Sequence, residues 1–108
     1  MLTNKICGLL GLGARAGKIV SGMDAVIDDL KRNKIKLIII AEDASEKSKK
    51  NIEFIAEKKK VPVIVFGDIE TNSKAIGKEN RAIIGIRDKN ISNGIKEKIF
   101  GGEAFGEN

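Results

Sequence analysis

Ala14-Arg-Ala-Gly-Lys-Ile-Val-Ser-Gly22 runs without a spacer into the helix-like segment Met23 to Asn33 and then into Lys36-Leu-Ile-Ile-Ile-Ala-Glu-Asp43. The apolar stretch Leu37 to Ala41 is too short for a buried helix and rich in isoleucine, so it predicts a strand buried on both faces. Strands of that kind occupy the middle of layered α/β domains. A short basic loop that feeds a helix start beside such a strand suits an anion, because the N–H groups of a first helical turn lack partners within the helix. Phosphate is the natural candidate, in a nucleotide or in a nucleic acid backbone.

Outward from this stretch, helix and strand signals alternate. Thr3 or Asn4 is placed to cap a first helix reaching about Gly13, with Ile6, Leu9 and Leu10 on one side. Gly8 and Gly11 weaken that helix and suggest close packing. Ile19 and Val20 form a very short strand, and Ser21 caps a helix whose inward stripe is Met23, Val26, Ile27 and Leu30. Asn33 ends it. Asp43 or Ser45 caps a third helix to about Lys59, with Ile52, Ile55 and Ala56 facing inward. Val61 to Phe66 reads as a second buried strand with Pro62 near its start, where a missing donor costs least. Strand, helix and strand then form a parallel, right-handed crossover.

A short helix over about Asp68 to Ile76, a polar turn from Gly77 to Arg81, a strand from Ala82 to Arg87 and a helix from about Ser92 to Ile99 complete the pattern. The fold class is α/β, a three-layer αβα sandwich with a mixed sheet of about four strands. These patterns do not fix the strand order. Residues 1–100 make a single domain, and the polar, glycine-rich segment 101–108 is expected to be a disordered tail. Gly8, Gly11, Gly13 and Gly17 do not match the dinucleotide fingerprint, since no strand precedes them and their spacing is wrong.

Composition limits the chemistry. The chain has 108 residues, one cysteine and no histidine. Without histidine there is no Ser-His-Asp or Cys-His pair and no imidazole ligand, and one cysteine excludes a thiolate zinc site. No catalytic residue, metal or cofactor is expected. Cys7, within the apolar run Ile6 to Leu10, reads as a plain buried thiol. The absence of a long apolar segment and of a secretion signal points to a cytoplasmic protein, with no membrane partner.

The net charge of +5, with a pI near 9.4, points to a polyanion. The excess is local, because residues 31 to 60 hold ten basic and five acidic side chains. Lys31, Arg32, Lys34 and Lys36 follow the helix before the central strand and favour nucleic acid. Lys47, Lys49, Lys50, Lys58, Lys59 and Lys60 belong to the next helix and read as its solvated face. With four phenylalanines and no tryptophan or tyrosine, and with Phe54 and Phe66 at expected core positions, composition argues against a base-stacking platform. Backbone and loop contacts to a folded RNA or a duplex fit better.

Gly17-Lys-Ile-Val-Ser-Gly-Met-Asp24, Leu37-Ile-Ile-Ile-Ala-Glu-Asp-Ala44, Val61-Pro-Val63 and Lys74-Ala-Ile-Gly-Lys78 together resemble the kink-turn RNA-binding ribosomal protein superfamily. Within it, the match is to the bacterial YlxQ-like branch. The resemblance spans about Leu9 to Arg87. It implies an αβα sandwich that clamps a sharply bent RNA, using the loop and helix start before the central strand and the loop before the last strand.

Members of that superfamily carry a glycine, a variable residue, an Asn-Glu pair and, three residues after the Glu, a lysine. Here Gly22 matches, Ser21 and Met23 flank it, and Asp24, Ala25 and Asp28 fill the remaining places. An ionised Asp24 can only accept, for example from guanine N1–H or N2–H, where asparagine could also donate. Ala25 makes no polar contact, and Asp28 sets an anion beside phosphates. Arg32 and Arg81 stand where the superfamily places basic residues, and Lys18, Lys78 and Asn80 belong to the same loops.

The resemblance thus implies a non-enzymatic binder of structured RNA, with ribosomal RNA a candidate, and the chain is expected to be a monomer. Plainer alternatives remain at each position. Gly22 can serve only a tight turn, Asp24 and Asp28 can serve the helix dipole, and Arg81 can pair with Glu79. Two rival functions remain as well. One is a ribosome-associated protein that acts mainly through contacts with ribosomal proteins. The other is a receiver-like phosphoacceptor domain using Glu42 and Asp43 just past the central strand.

Overall fold

The computed structural model describes residues 2–101, and the expected tail from residue 102 onward lies outside the described residues. Along the chain run α1 (Leu2–Arg15), β1 (Ile19–Ser21), α2 (Met23–Lys31), β2 (Leu37–Ile40), α3 (Glu46–Lys59), β3 (Val63–Val65), α4 (Ile69–Ala75), β4 (Ile83–Ile86) and α5 (Lys89–Ile99). The strands form one mixed sheet in the order β1-β4-β2-β3. β2 pairs with β3 in parallel and with β4 antiparallel, and β4 pairs antiparallel with β1.

Alternation along the strands sorts the core into two layers. Leu37 and Ile39 of β2 and Ile84 and Ile86 of β4 pack with Ile6 and Leu10 of α1 and Ile91 and Ile95 of α5. Ile38, Ile40 and Ile83 turn to the opposite face, against Val26 and Leu30 of α2 and Ile52 and Ala56 of α3. The result is the three-layer αβα sandwich, with β2 buried along its whole length. On the α2 side, Ile35 crosses over β4 at Gly85. A Cβ there would lie 2.8 Å from Ile35 Cδ1 and 3.0 Å from Val20 Cγ1, so a larger residue would have to push these two side chains aside.

Several local expectations change. β3 is an edge strand, and Val65 is exposed; its apolar run resembles that of a central strand although a neighbour covers only one side. α1 starts at Leu2 and runs through Gly13 to Arg15, so Thr3 and Asn4 lie inside it and cap nothing. α5 starts at Lys89 rather than near Ser92, because the Asp88 carboxylate accepts the Ile91 N–H at 2.8 Å. Ser21 closes β1 and does not cap α2; that position falls to Gly22. Phe54 is not in the core but exposed, since Ile52 and Ala56 supply the inward face of α3. Cys7 is only partly buried. Burial and the nearby Asp68 charge, in that order, raise its thiol pKa above the usual value.

Candidate nucleic-acid interface

The register of the sheet brings distant parts of the sequence together. Ser21 lies opposite Ile84, and Ile40 lies opposite both Ile83 and Val65. Hence β1, β2 and β3 end, and β4 begins, at one edge. There the Gly22 N–H donates to the Ile83 carbonyl at 2.9 Å, tying the start of α2 to the start of β4. Gly22 to Ala25 and Lys78 to Arg81 therefore share one surface.

The start of α2 is open. Gly22 takes φ 94° and ψ 149°, a region accessible essentially only to glycine, and no side chain caps the helix. Val26 is the first residue whose N–H bonds back, to the Gly22 carbonyl at 3.0 Å. The N–H groups of Met23, Asp24 and Ala25 precede that ladder. By contrast, Ser45, Asp68 and Asp88 cap α3, α4 and α5 with side-chain oxygens. Asp24 and Ala25 are exposed, while Ser21 and Met23 are partly buried.

Arg81 stands beside this helix start. The Ser73 hydroxyl holds its backbone, accepting the Arg81 N–H at 2.7 Å and donating to the Arg81 carbonyl at 3.3 Å. Its Nη1 lies 3.5 Å from where a Cβ on Gly22 would be, and its buried Nε has no hydrogen-bond partner among the described residues. Asn80 adopts a left-handed φ of 56°, and the Lys78 N–H donates to the Ser73 carbonyl at 2.8 Å. Lys78 and Asn80, together with Asp43, Ser73, Lys74 and Glu79, border an open hollow of about 790 Å³.

Two basic residues do not join this group. The Lys18 carbonyl accepts the Arg87 N–H at 2.8 Å, which places Lys18 at the opposite end of β1, roughly 10 Å away along a three-residue strand. Arg32 closes α2, a helix about 13 Å long, and its Nε lies 3.4 Å from Asp28 Oδ2. Asp28 lies between the two ends.

The carboxylates past β2 and β3 are engaged locally. Asp43 Oδ1 accepts the Ile69 N–H at 2.9 Å, and Asp68 Oδ1 accepts the Thr71 N–H at 2.6 Å. That backbone bond, with a smaller contribution from the Thr71 side chain, holds the Asp68 carboxyl below its ordinary range. Among the described residues, no group of three or more His, Cys, Asp or Glu side chains could hold a metal ion. None of their helices is long and apolar enough to cross a membrane.

Two structural partnerships escape a reading of the sequence. Asp29, buried within the α2 stripe, accepts from Arg87 Nε at 2.6 Å across 58 positions of sequence. An acid inside an apolar stripe is a visible signal; its partner is not. Ser73, which positions Arg81, carries no signal at all.

A model of the ribosomal protein L7Ae/L30e/S12e/Gadd45 family matches residues 4–96. The chain is similar to two curated relatives named RNA-binding protein YlxQ. The Enterococcus faecium protein is 36% identical over 98 residues, covering 90% of this chain and 93% of the relative. The Bacillus subtilis (strain 168) protein is 35% identical over 85 residues, covering 79% and 85%.

Among solved structures, a Bacillus halodurans C protein of unknown function superposes with a TM-score of 0.85 at 32% identity, covering 88% of this chain and 96% of that one. The Giardia lamblia 15.5kD RNA binding protein shares the fold, with a TM-score of 0.78 at 24% identity, covering 95% and 88%. With its αβα layers and this extent of match, the chain belongs to the ribosomal protein L7Ae/L30e/S12e/Gadd45 family, in its YlxQ-like branch.

Proposed function

We propose that this protein is a non-enzymatic, cytoplasmic RNA-binding module that stabilises a kink-turn or similarly bent RNA, probed at the sheet edge where α2 and β4 begin. One observation carries the reading: an uncapped helix start lies directly beside an arginine whose Nε has no partner among the described residues. Two sources of positive potential converge there, the free N–H groups of Met23 to Ala25 and the Arg81 guanidinium. Curated relatives bearing the name RNA-binding protein support the ligand class.

In this reading Arg81 and Lys78 hold phosphates on both sides of the bend. Ser21 to Ala25 and Asn80 approach the bases, and Asp24 accepts from a guanine edge. Asp28 tempers the charge toward the middle of α2. Lys18 and Arg32, about 10 to 13 Å farther on, meet phosphates along the stem. Ribosomal RNA is the leading source of such a bend.

Calorimetry at about 150 mM salt, where non-specific contacts are already weakened, tests this. The titrants are a kink-turn RNA and the same RNA with its sheared G·A pairs replaced by Watson–Crick pairs. Preference for the kinked form is expected. Equal, weak binding to both would sink the reading and direct attention to protein partners on the ribosome.

A further inference from the structure

Phe54 stands on the outer face of α3 with 60% of its surface exposed. At about 100° per residue, Lys47, Lys50 and Lys58 fall within about 40° of it on the helix, opposite the buried Ile52 and Ala56. The Lys58 ammonium lies 4.3 Å from the ring centroid. Among the described residues, the ion pairs join Arg32 to Asp28, Lys49 to Glu46 and Arg87 to Asp29, leaving Lys47, Lys50 and Lys58 without a carboxylate.

The charges of α3 are also segregated around its axis. Asn51 and Lys59 mark the side that meets α2, with Asn51 Nδ2 4.0 Å from Met23 Sδ and Lys59 Nζ 3.2 Å from Asn33 Oδ1. Moving outward from Asn51 come Lys58, Lys47, Phe54 and Lys50, and only then the acids Glu57, Glu46 and Glu53. The lysine strip with its single ring therefore adjoins Met23, at the start of α2, and the acids lie beyond it.

A lone ring can meet a protein or a base. On this helix the exposed positions carry no second apolar side chain, and three unneutralised cations surround the ring. That combination suits a π-face flanked by phosphates rather than an apolar protein surface. We propose that the outer face of α3 is a second RNA contact, where an unpaired nucleotide stacks on Phe54 while Lys47, Lys50 and Lys58 hold the neighbouring phosphates. It extends the RNA-binding reading and rests on it. It also revises the expectation, drawn from composition, that no stacking platform exists.

The chain has no tryptophan or tyrosine, so Phe54→Trp introduces its only indole, whose emission a stacked base quenches. The probes are a blunt-ended kink-turn RNA and the same RNA with an unpaired pyrimidine extension of about six nucleotides, within the span of single-strand sites. An unstructured pyrimidine oligonucleotide is the third. Quenching by the extended RNA but not by the blunt one is expected. In the otherwise native protein, Phe54→Ala should weaken the extended RNA about fivefold and leave the blunt one unchanged. Replacing Lys47, Lys50 and Lys58 by glutamine should lower the salt slope by about two units.

An extension that alters neither emission nor affinity overturns the proposal, as does a salt-insensitive face that answers to no RNA, the behaviour of a protein-docking ring. Failure of the blunt RNA to bind is separate and defeats the primary reading. In that case the oligonucleotide still decides the role of Phe54: quenching keeps the stack, and its absence removes it.

Discussion

Arg81 and Arg87 flank the same four-residue strand, β4, one just before it and one just after. Arg87 donates from Nε to Asp29 at 2.6 Å, and that carboxylate is 8% exposed. Arg81 has its backbone fixed by Ser73, but among the described residues its Nε has no hydrogen-bond partner. The first arrangement is a clamp, since the ion pair fastens α2 to the end of β4 and neutralises a charge the core cannot leave alone. The second keeps a charge positioned and unmatched beside the open start of α2. In the proposed reading, one strand thus separates an end that fastens α2 from an end that receives an RNA phosphate.

The sharpest way to break this division is Asp29→Ala. It strands the Arg87 charge and should lower the unfolding free energy by about 2 to 3 kcal/mol, somewhat below a fully buried pair because the Arg87 side chain is 38% exposed. Urea denaturation measures that loss, and the folded protein should bind RNA as before. Loss of binding at unchanged stability would put the functional end on the wrong side.

Gly22→Ala comes next. A side chain at φ 94°, ψ 149° costs about 1 to 3 kcal/mol of backbone strain. Unlike Asp29→Ala, it should also weaken RNA binding, read in the same pair of assays.

Arg81→Gln should leave stability within about 0.5 kcal/mol and weaken kinked and straight RNAs alike by about tenfold, or about 1.4 kcal/mol. Arg87→Gln should show the reverse pattern. Asp24→Asn should improve affinity only a few-fold, about 1 kcal/mol or less, and only for the kinked RNA. An unchanged preference would remove Asp24 from base reading.

The smallest effect concerns a capped helix start. The folded-state pKa of Asp68 is lowered, so its contribution is fully present above the ordinary carboxylate pKa. It fades as pH falls through the lowered folded value. Asp68→Ala should therefore lower Tm at neutral pH, by less than Gly22→Ala does. The difference between variant and parent should shrink in acid.

What the sequence could reveal followed the reach of its signals. Leu37 to Ile40 and Ile83 to Ile86 announce themselves because burial on two faces forces continuous apolar runs. Val61 to Phe66 gives a similar run at an edge, so the pattern alone could not order the strands. Ser92 looked like a helix start because the apolar period resumes only at Ile91, while the true cap, Asp88, precedes two polar residues. Gly22 and Arg81 were visible as motif positions. Their proximity depends on the antiparallel β1-β4 pairing, which also sends Lys18 to the far end, while the length of α2 carries Arg32 there. Phe54, an aromatic residue near Ile52 and Ile55, reads as core until the phase of the helix is fixed.

The most direct test is amide chemical-shift mapping by NMR, adding a kink-turn RNA to the nitrogen-15-labelled protein at about 150 mM salt. The account predicts the largest changes at Met23 to Ala25 and Lys78 to Arg81, with smaller ones at the Arg87 end, where the Arg87 N–H donates to the Lys18 carbonyl and Lys18 meets the stem. Dominant shifts at the Arg87 end, with the α2 start silent, would contradict it.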